Sequence, residues 1–291
     1  ALQAFQPDLV ALNDAIVNDG VPLPELLRQI RSHLSPKASK ALHLGATSQD
    51  VIDTSLMMRM KNVLALISQR LATIIQALDN LRKSSGNRTL MAYTRMQAAL
   101  PIKVADRIDS WQQPINSYKA KVDQLLEQGL PIQFGGAVGT LSSFKNKGPE
   151  VRSLMAKELG LRDQPQWHSQ RAIITDLGHL FAQVTGSLGK IGQDIALMAQ
   201  QGAEIKLAGG GGSSAMPHKQ NPVAAEMLAT QARYSSVLVS GLYSAMVHEQ
   251  ERSGSAWTLE WMILPQVAIS CGAATRLAEK LILQVVSIGS E

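Results

Sequence analysis

The stretch Val51–Lys83, VIDTSLMMRMKNVLALISQRLATIIQALDNLRK, contains neither Gly nor Pro. Its apolar residues recur at three- and four-residue spacing, the period that puts side chains on one face of an α-helix. At 1.5 Å per residue such a helix runs roughly 45–50 Å, long for a globular protein. The same reading covers Ile173–Gly202, Val223 to about Glu251, and Leu259–Ile288, where Pro265 predicts a kink. Helices apolar over so much of their circumference must each pack against several others. The prediction is an all-α, long-helix bundle, completed by further copies of the chain because one copy cannot cover that much apolar surface. Residues 1–50 read as the remainder of an N-terminal helical region and 51–291 as the central bundle, with flanking N- and C-terminal parts expected to be missing.

Composition points the same way. Apolar residues make up 45% of the 291, enough for a sizeable core, while only 4% are aromatic, which favours close helix packing over sheet surfaces. The lone cysteine, Cys271, cannot form an internal disulfide, and its neighbours Ser270, Gly272 and Ala273 suggest a packed helix. No apolar run reaches the roughly 18 residues a membrane span needs, so no membrane partner and a cytoplasmic location are expected. The net charge of +5 is thinly spread, without a basic block or interleaved aromatics, which argues against nucleic acid and leaves attraction of an anionic small molecule.

Between the predicted helices lie His43–Asp50, Tyr93–Pro101, Phe134–Thr140 and Ala208–Pro222. The last holds the run Gly209-Gly210-Gly211-Gly212-Ser213-Ser214-Ala215-Met216-Pro217-His218-Lys219-Gln220-Asn221-Pro222. Four glycines are entropically costly to order, so such a run implies motion rather than a plain connector. A phosphate-binding P-loop needs Gly before its Lys and Ser or Thr after it, whereas His218 and Gln220 flank Lys219. A flexible linker would not end in Ser-Ser, Lys and Asn closed by two prolines. His248-Glu249-Gln250-Glu251-Arg252 lacks the second histidine of a zinc helix, and no metal or other cofactor is expected.

Gly212–Pro222, read as G-S-S-x-M-P-x-K-x-N-P, resembles the signature loop of the fumarase/aspartase superfamily, which includes adenylosuccinate and argininosuccinate lyases. The resemblance implies that Ser213 is the catalytic base, Lys219 a catalytic cation, Asn221 a carboxylate ligand and Ser214 a supporting residue. A serine hydroxyl exchanges protons with carbon only if its oxyanion is stabilised, which Lys219 and glycine-rich backbone N–H groups can do. The same resemblance assigns substrate binding to Thr47, Ser48 and Gln49, at a predicted helix N-terminus suited to carboxylates, with His43 supporting. It assigns binding also to Thr94 and Gln97, and Arg252 is read as an anion contact. Phe134–Thr140 matches the family's small-residue turn.

One position departs from the family. Where the lyases carry a Thr-His-x-Gln histidine as general acid, this chain has Arg95, whose guanidinium stays protonated and suits anion binding rather than proton transfer. Glu226, five residues after Asn221, is in place of the glutamate that partners that histidine, and pairing of Arg95 with Glu226 is expected. His-Leu-Gly-Ala-Thr-Ser-Gln-Asp at 43–50, Thr-Arg-Met-Gln-Ala-Ala-Leu-Pro at 94–101 and Glu-Arg-Ser-Gly-Ser-Ala-Trp at 251–257 are most similar to the bacterial carboxymuconate cycloisomerases within the superfamily. That branch implies a polycarboxylate substrate, lactone formation by intramolecular carboxylate addition in aromatic catabolism, and a homotetramer with shared active sites. A fumarate-releasing lyase and a catalytically silent structural homologue stay open as alternatives.

Overall fold

The computed structural model describes residues 4–212, 214–216 and 219–291. Its helices are α1 (Leu9–Asp19), α2 (Leu23–Ser32), α3 (Pro36–Ala41), α4 (Ser48–Ser85), α5 (Val104–Gln128), α6 (Gly148–Leu159), α7 (Ala172–Gln201), α8 (Val223–Ser244) and α9 (Ser255–Leu283). A 3-10 segment, Ser142–Lys147, precedes α6. Short strands β1 (Thr89–Thr94), β2 (Gln97–Lys103), β3 (Ile205–Leu207), β4 (Gly211–Gly212), β5 (Gln220–Asn221) and β6 (Val285–Ile288) form antiparallel pairs β1–β2, β3–β6 and β4–β5. The chain divides into two compact units, Ala1–Lys61 with Gln128–His168, and Asn62–Glu127 with Ser169–Glu291.

The second unit is a long-helix bundle whose register is written in the sequence. In α4, Leu64, Ile67, Leu71, Ile74 and Leu78 alternate three- and four-residue steps and are fully buried. In α7, Ile174, Leu177, Phe181, Val184, Leu188, Ile191, Ile195 and Met198 repeat that stripe; in α9, Leu264, Val267, Cys271, Ala274, Ala278 and Leu281 do so again. This is the spacing that lets side chains of near-parallel helices interdigitate. Close approach of α7 and α8 needs glycine: a Cβ on Gly192 would stand 2.5 Å from the Ala225 carbonyl oxygen. Trp111 of α5 donates its indole N–H to Asp194 of α7 at 2.8 Å, and Arg70 of α4 donates to the Gly272 carbonyl of α9 at 2.5 Å.

In the first unit, Thr54 on α4 accepts from Gln133 N–H and donates to the Gln133 carbonyl, stitching the helix to the extended segment that precedes the Gly135–Gly136 turn. The buried Trp167 indole donates to the Ile132 carbonyl at 3.0 Å. Among the described residues, no helix is long and apolar enough to cross a membrane.

Two expected helix ends move inward. α8 stops at Ser244, and the expected end near Glu251 falls in a loop whose His248 side chain is buried. α9 runs past Pro265 but ends at Leu283, and the expected continuation to Ile288 is strand β6. Val285, Val286 and Ile288 are β-branched, and β6 pairs with β3 before Gly289 takes a left-handed φ of 75°. The Tyr93–Pro101 segment, read as a loop, is the tip of a hairpin in which Thr94 faces Gln97 across the two-residue turn Arg95-Met96.

Candidate active site

The first unit carries one cluster of the predicted residues at the N-terminus of α4. Asp50 is 2% exposed, and its two carboxylate oxygens accept four hydrogen bonds. Oδ2 takes the N–H groups of Thr47 and Gly136, both at 2.9 Å; Oδ1 takes the Gly135 N–H at 2.9 Å and meets His168 Nε2 at 2.7 Å. The bond to Thr47 is the returning half of a capping box, as the spacing of Thr47 and Asp50 suggests. The bonds to Gly135 and Gly136 tie the small-residue turn to the same point. Asp50 therefore fixes the helix end, the turn and a histidine together.

Thr47 and Ser48 stand half-buried at this helix end. Gln49 is fully buried and donates its amide to the His168 carbonyl at 2.9 Å. His43 is half-buried in a left-handed conformation, φ 63°. Burial, then the charge of Arg31, push its imidazole below the ordinary value, and Asp50 partly opposes them. Sequence reading overlooked His168. Its signal was weak, a single histidine in Trp167-His168-Ser169-Gln170-Arg171 with no spacing motif, although a Trp and His beside Arg171 just before a long helix is an unusual polar start.

The second unit carries the other predicted residues on projecting segments. Thr94, Arg95 and Gln97 are exposed at the hairpin tip. Arg95 and Met96 both hold left-handed backbone, φ 49° and 67°, the geometry of a two-residue hairpin turn ordinarily given to Asn-Gly. Arg95 borders a cleft of about 420 Å³ with Tyr93, Arg107, Lys190 and Asp194. Asp194 there pairs with Lys190 and lies 3.9 Å from Arg107.

The signature loop is closed at its base by β4 and β5, in register Gly211↔Asn221 and Gly212↔Gln220. Glycine is needed for closeness as well as freedom: a Cβ on Gly211 would stand 2.5 Å from Val223 Cγ2, and one on Gly210 would stand 2.9 Å from the Asn221 carbonyl oxygen. Asn221 is half-buried in this stem, and Ser214 and Lys219 are exposed above it. Ser213 lies outside the described residues. Glu226 is exposed in the first turn of α8, where the helix dipole favours a carboxylate.

The expected Arg95–Glu226 pair is not made within this chain. Arg95 points from a hairpin tip and Glu226 from a helix start, and among the described residues no ion pair joins them. Arg252 is half-buried in the segment between α8 and α9. A buried pair that sequence reading missed lies in the same unit: Arg171 Nε is 2.9 Å from Glu260 Oε1 and Nη2 is 2.5 Å from Oε2.

A family model described as Lyase matches residues 1–234. The chain is 34% identical over 287 residues to a 3-carboxy-cis,cis-muconate cycloisomerase of Pseudomonas aeruginosa, covering 96% of this chain and 62% of the relative. It is 32% identical over 291 residues to a nitrosuccinate lyase of Streptomyces davaonensis, covering 94% of this chain and 61% of the relative. Among solved structures, the 3-carboxy-cis,cis-muconate lactonizing enzyme of Pseudomonas putida superimposes with a TM-score of 0.89 at 32% identity, covering 97% of this chain and 64% of that one. The chain spans 60–62% of the length of the first three curated relatives it matches.

Proposed function

From the premise that this chain belongs to the Lyase family and has the helical fold of the fumarase/aspartase type, we propose that it serves the cycloisomerisation of 3-carboxy-cis,cis-muconate to a carboxymuconolactone. The observation that carries this reading is Arg95 in the slot where the lyases hold their general-acid histidine, with the signature loop otherwise intact from Gly212 to Pro222. Lactone formation tolerates that exchange. The substrate's own carboxylate oxygen attacks the β-carbon, and no leaving amine or alkoxide has to be protonated. The π electrons move to the neighbouring carbon as a carbanion conjugated with its carboxylate, and that carbon takes one proton. In this reading Ser213 delivers the proton, Lys219 stabilises the serine oxyanion, and Thr47, Ser48, Thr94, Arg95, Gln97, Asn221 and Arg252 hold the carboxylates. Gln49, whose amide bonds to the His168 carbonyl, braces the helix end that carries Thr47 and Ser48.

The substrate site is completed in a homotetramer. Met227, Tyr234 and Val237 on α8, and Met262 and Ile269 on α9, leave large apolar residues 44–71% exposed, as helices awaiting other copies would. Light scattering should return four times the 31.4 kDa chain mass; a fully active monomer would refute the shared site. A cytoplasmic location fits this role.

A second reading is favoured by the nitrosuccinate lyase relative: cleavage of a substituted succinate. Following ultraviolet absorbance with carboxymuconate, adenylosuccinate, argininosuccinate and nitrosuccinate separates the two. Turnover of carboxymuconate alone supports the cycloisomerase, and turnover of a succinate derivative alone overturns it.

A further inference from the structure

The segment between α8 and α9 carries Arg252 and is held at two points. Ahead of Arg252, His248 turns into the second unit: its side chain is 0% exposed and Nε2 lies 3.3 Å from Glu260 Oε1. Its flanking residues Met246, Val247, Glu249, Gln250 and Glu251 are all exposed, so the histidine is the anchor of an otherwise superficial stretch. Just after Arg252, Ser253 is buried and accepts the Ala256 N–H from the first turn of α9 at 3.1 Å. The Ser253 hydroxyl also donates to Glu249, which holds that carboxyl below its usual range. Arg252 N–H closes the turn on the Glu249 carbonyl at 3.2 Å, and Gln250 takes a left-handed φ of 47° to allow it.

The anchor point is itself rigid. Glu260 is 3% and Arg171 1% exposed at their side chains, and the guanidinium is bonded to both carboxylate oxygens. A buried ion pair of this kind contributes little net stability, but its geometry is demanding, because either charge left alone in the interior is costly. Neither nitrogen of His248 makes a well-aligned hydrogen bond among the described residues. The ring is therefore packed against a fixed ion pair rather than serving as a strong polar link, which suits a spacer that sets where a loop runs.

We propose that His248 is a positioning residue, packed against the Arg171–Glu260 pair so that the loop presents Arg252 to a substrate carboxylate. The proposal rests on the reading of Arg252 as an anion contact. It assigns His248 no contact with substrate and no proton to move. Its consequence is specific: loss of His248 should act through Arg252 and through nothing else.

The test uses the assembled protein and three variants, His248→Ala, His248→Gln and Arg252→Ala, with the double variant His248→Ala/Arg252→Ala. His248→Ala should raise KM for carboxymuconate about tenfold with a smaller fall in kcat, and His248→Gln, which keeps much of the bulk packed against Glu260, should recover most of that loss. In the Arg252→Ala background, His248→Ala should raise KM no further, since residues that act as one unit are not additive. A second readout needs no substrate: trypsin cleavage after Arg252, followed by mass, should quicken in His248→Ala. If His248→Ala does not fold, hydrogen exchange of residues 246–253 in the unaltered protein decides, with protection comparable to the neighbouring helix ends expected. Additive KM effects, no rescue by glutamine, unchanged cleavage after Arg252, or free exchange in the unaltered protein would each overturn the proposal. Should the unaltered protein turn over no carboxymuconate, the functional reading fails while the cleavage and exchange measurements still judge the positioning role.

Discussion

The helix end at Asp50 and the hairpin tip at Arg95 both carry residues that the family resemblance assigns to carboxylate binding, yet they are built in opposite ways. Asp50 is buried with four hydrogen bonds on two oxygens, and the donors come from three places in the chain: Thr47, the Gly135–Gly136 turn and His168. Arg95 is exposed on a two-residue turn, in backbone that its own side chain disfavours. One region is complete in a single unit of a single chain. The other reaches outward with its polar groups, as residues do that meet substrate or another subunit. The contrast teaches that the helix end is fixed by bonds made in folding, whereas the tip residues are held by the hairpin backbone and leave their side chains exposed.

The largest effect is expected in the signature loop, outside both regions. Ser213→Ala should lower kcat by about 10²–10⁴-fold with KM little changed, the range for loss of a general acid or base. Single-turnover kinetics checks it, and an altered KM at unchanged kcat would remove Ser213 from the proton transfer. The next effect tests the buried side. Asp50→Ala strips an acceptor from four donors at once and leaves His168 without its carboxylate, so urea unfolding should show a loss of about 3–5 kcal/mol. Arg95→Ala, by the same measurement, should fall within about 0.5 kcal/mol of the unaltered protein, as exposed substitutions do. Equal losses at the two sites would erase the contrast.

A smaller effect concerns the bundle interior. Burial pushes the Cys271 thiol up from 9.0 to about 12, with Thr185 and Arg70 opposing. Between those values the unfolded chain has released the proton that the folded chain retains, so the folded state binds more protons and stability must fall as pH rises. The sign is opposite to that of a salt-bridged carboxylate. The expected loss is about 1 kcal/mol per pH unit above pH 9, and a Cys271→Ala variant should lack it. Below pH 9 the native thiol should resist aromatic disulfide reagents until denaturant is added.

How much of this was legible follows from the same division between regions. The bundle was readable because the steps from Leu64 to Leu78 and from Ile174 to Met198 repeat locally, and a helix face needs no distant partner to be recognised. The signature loop was readable because its chemistry is dense. The Asp50 shell was readable only in half: Thr47 and Asp50 lie three residues apart, but Gly135, Gly136 and His168 come from 85 to 118 residues away, and no local pattern announces such a meeting. The Arg171–Glu260 pair, 89 residues apart, was hidden for the same reason. Strand β6 was lost in the tail of an apolar helix pattern, since short β-branched runs fit either period.

The hairpin was missed for a different reason, and it gives the smallest and most discriminating prediction. A two-residue turn of this type wants left-handed backbone at both positions, and Asn-Gly announces it; Arg95-Met96 does not. An L-residue held there costs about 1–2 kcal/mol relative to right-handed backbone, while glycine escapes that strain but loses roughly 0.5–1 kcal/mol more entropy on folding. The balance favours glycine by about 0.5 kcal/mol at either position. Met96→Gly and Arg95→Gly should therefore both stabilise the chain slightly, by the same mechanism and to the same extent. Their kinetics should separate. Met96→Gly should leave KM for carboxymuconate unchanged, while Arg95→Gly removes the guanidinium and should raise KM about tenfold or more, in line with a lost charge-assisted bond to a carboxylate. If both variants raise KM together, the turn's shape rather than the Arg95 charge governs binding. If neither does, Arg95 does not touch substrate, and its strained place at the hairpin tip has to be explained by contact with another subunit.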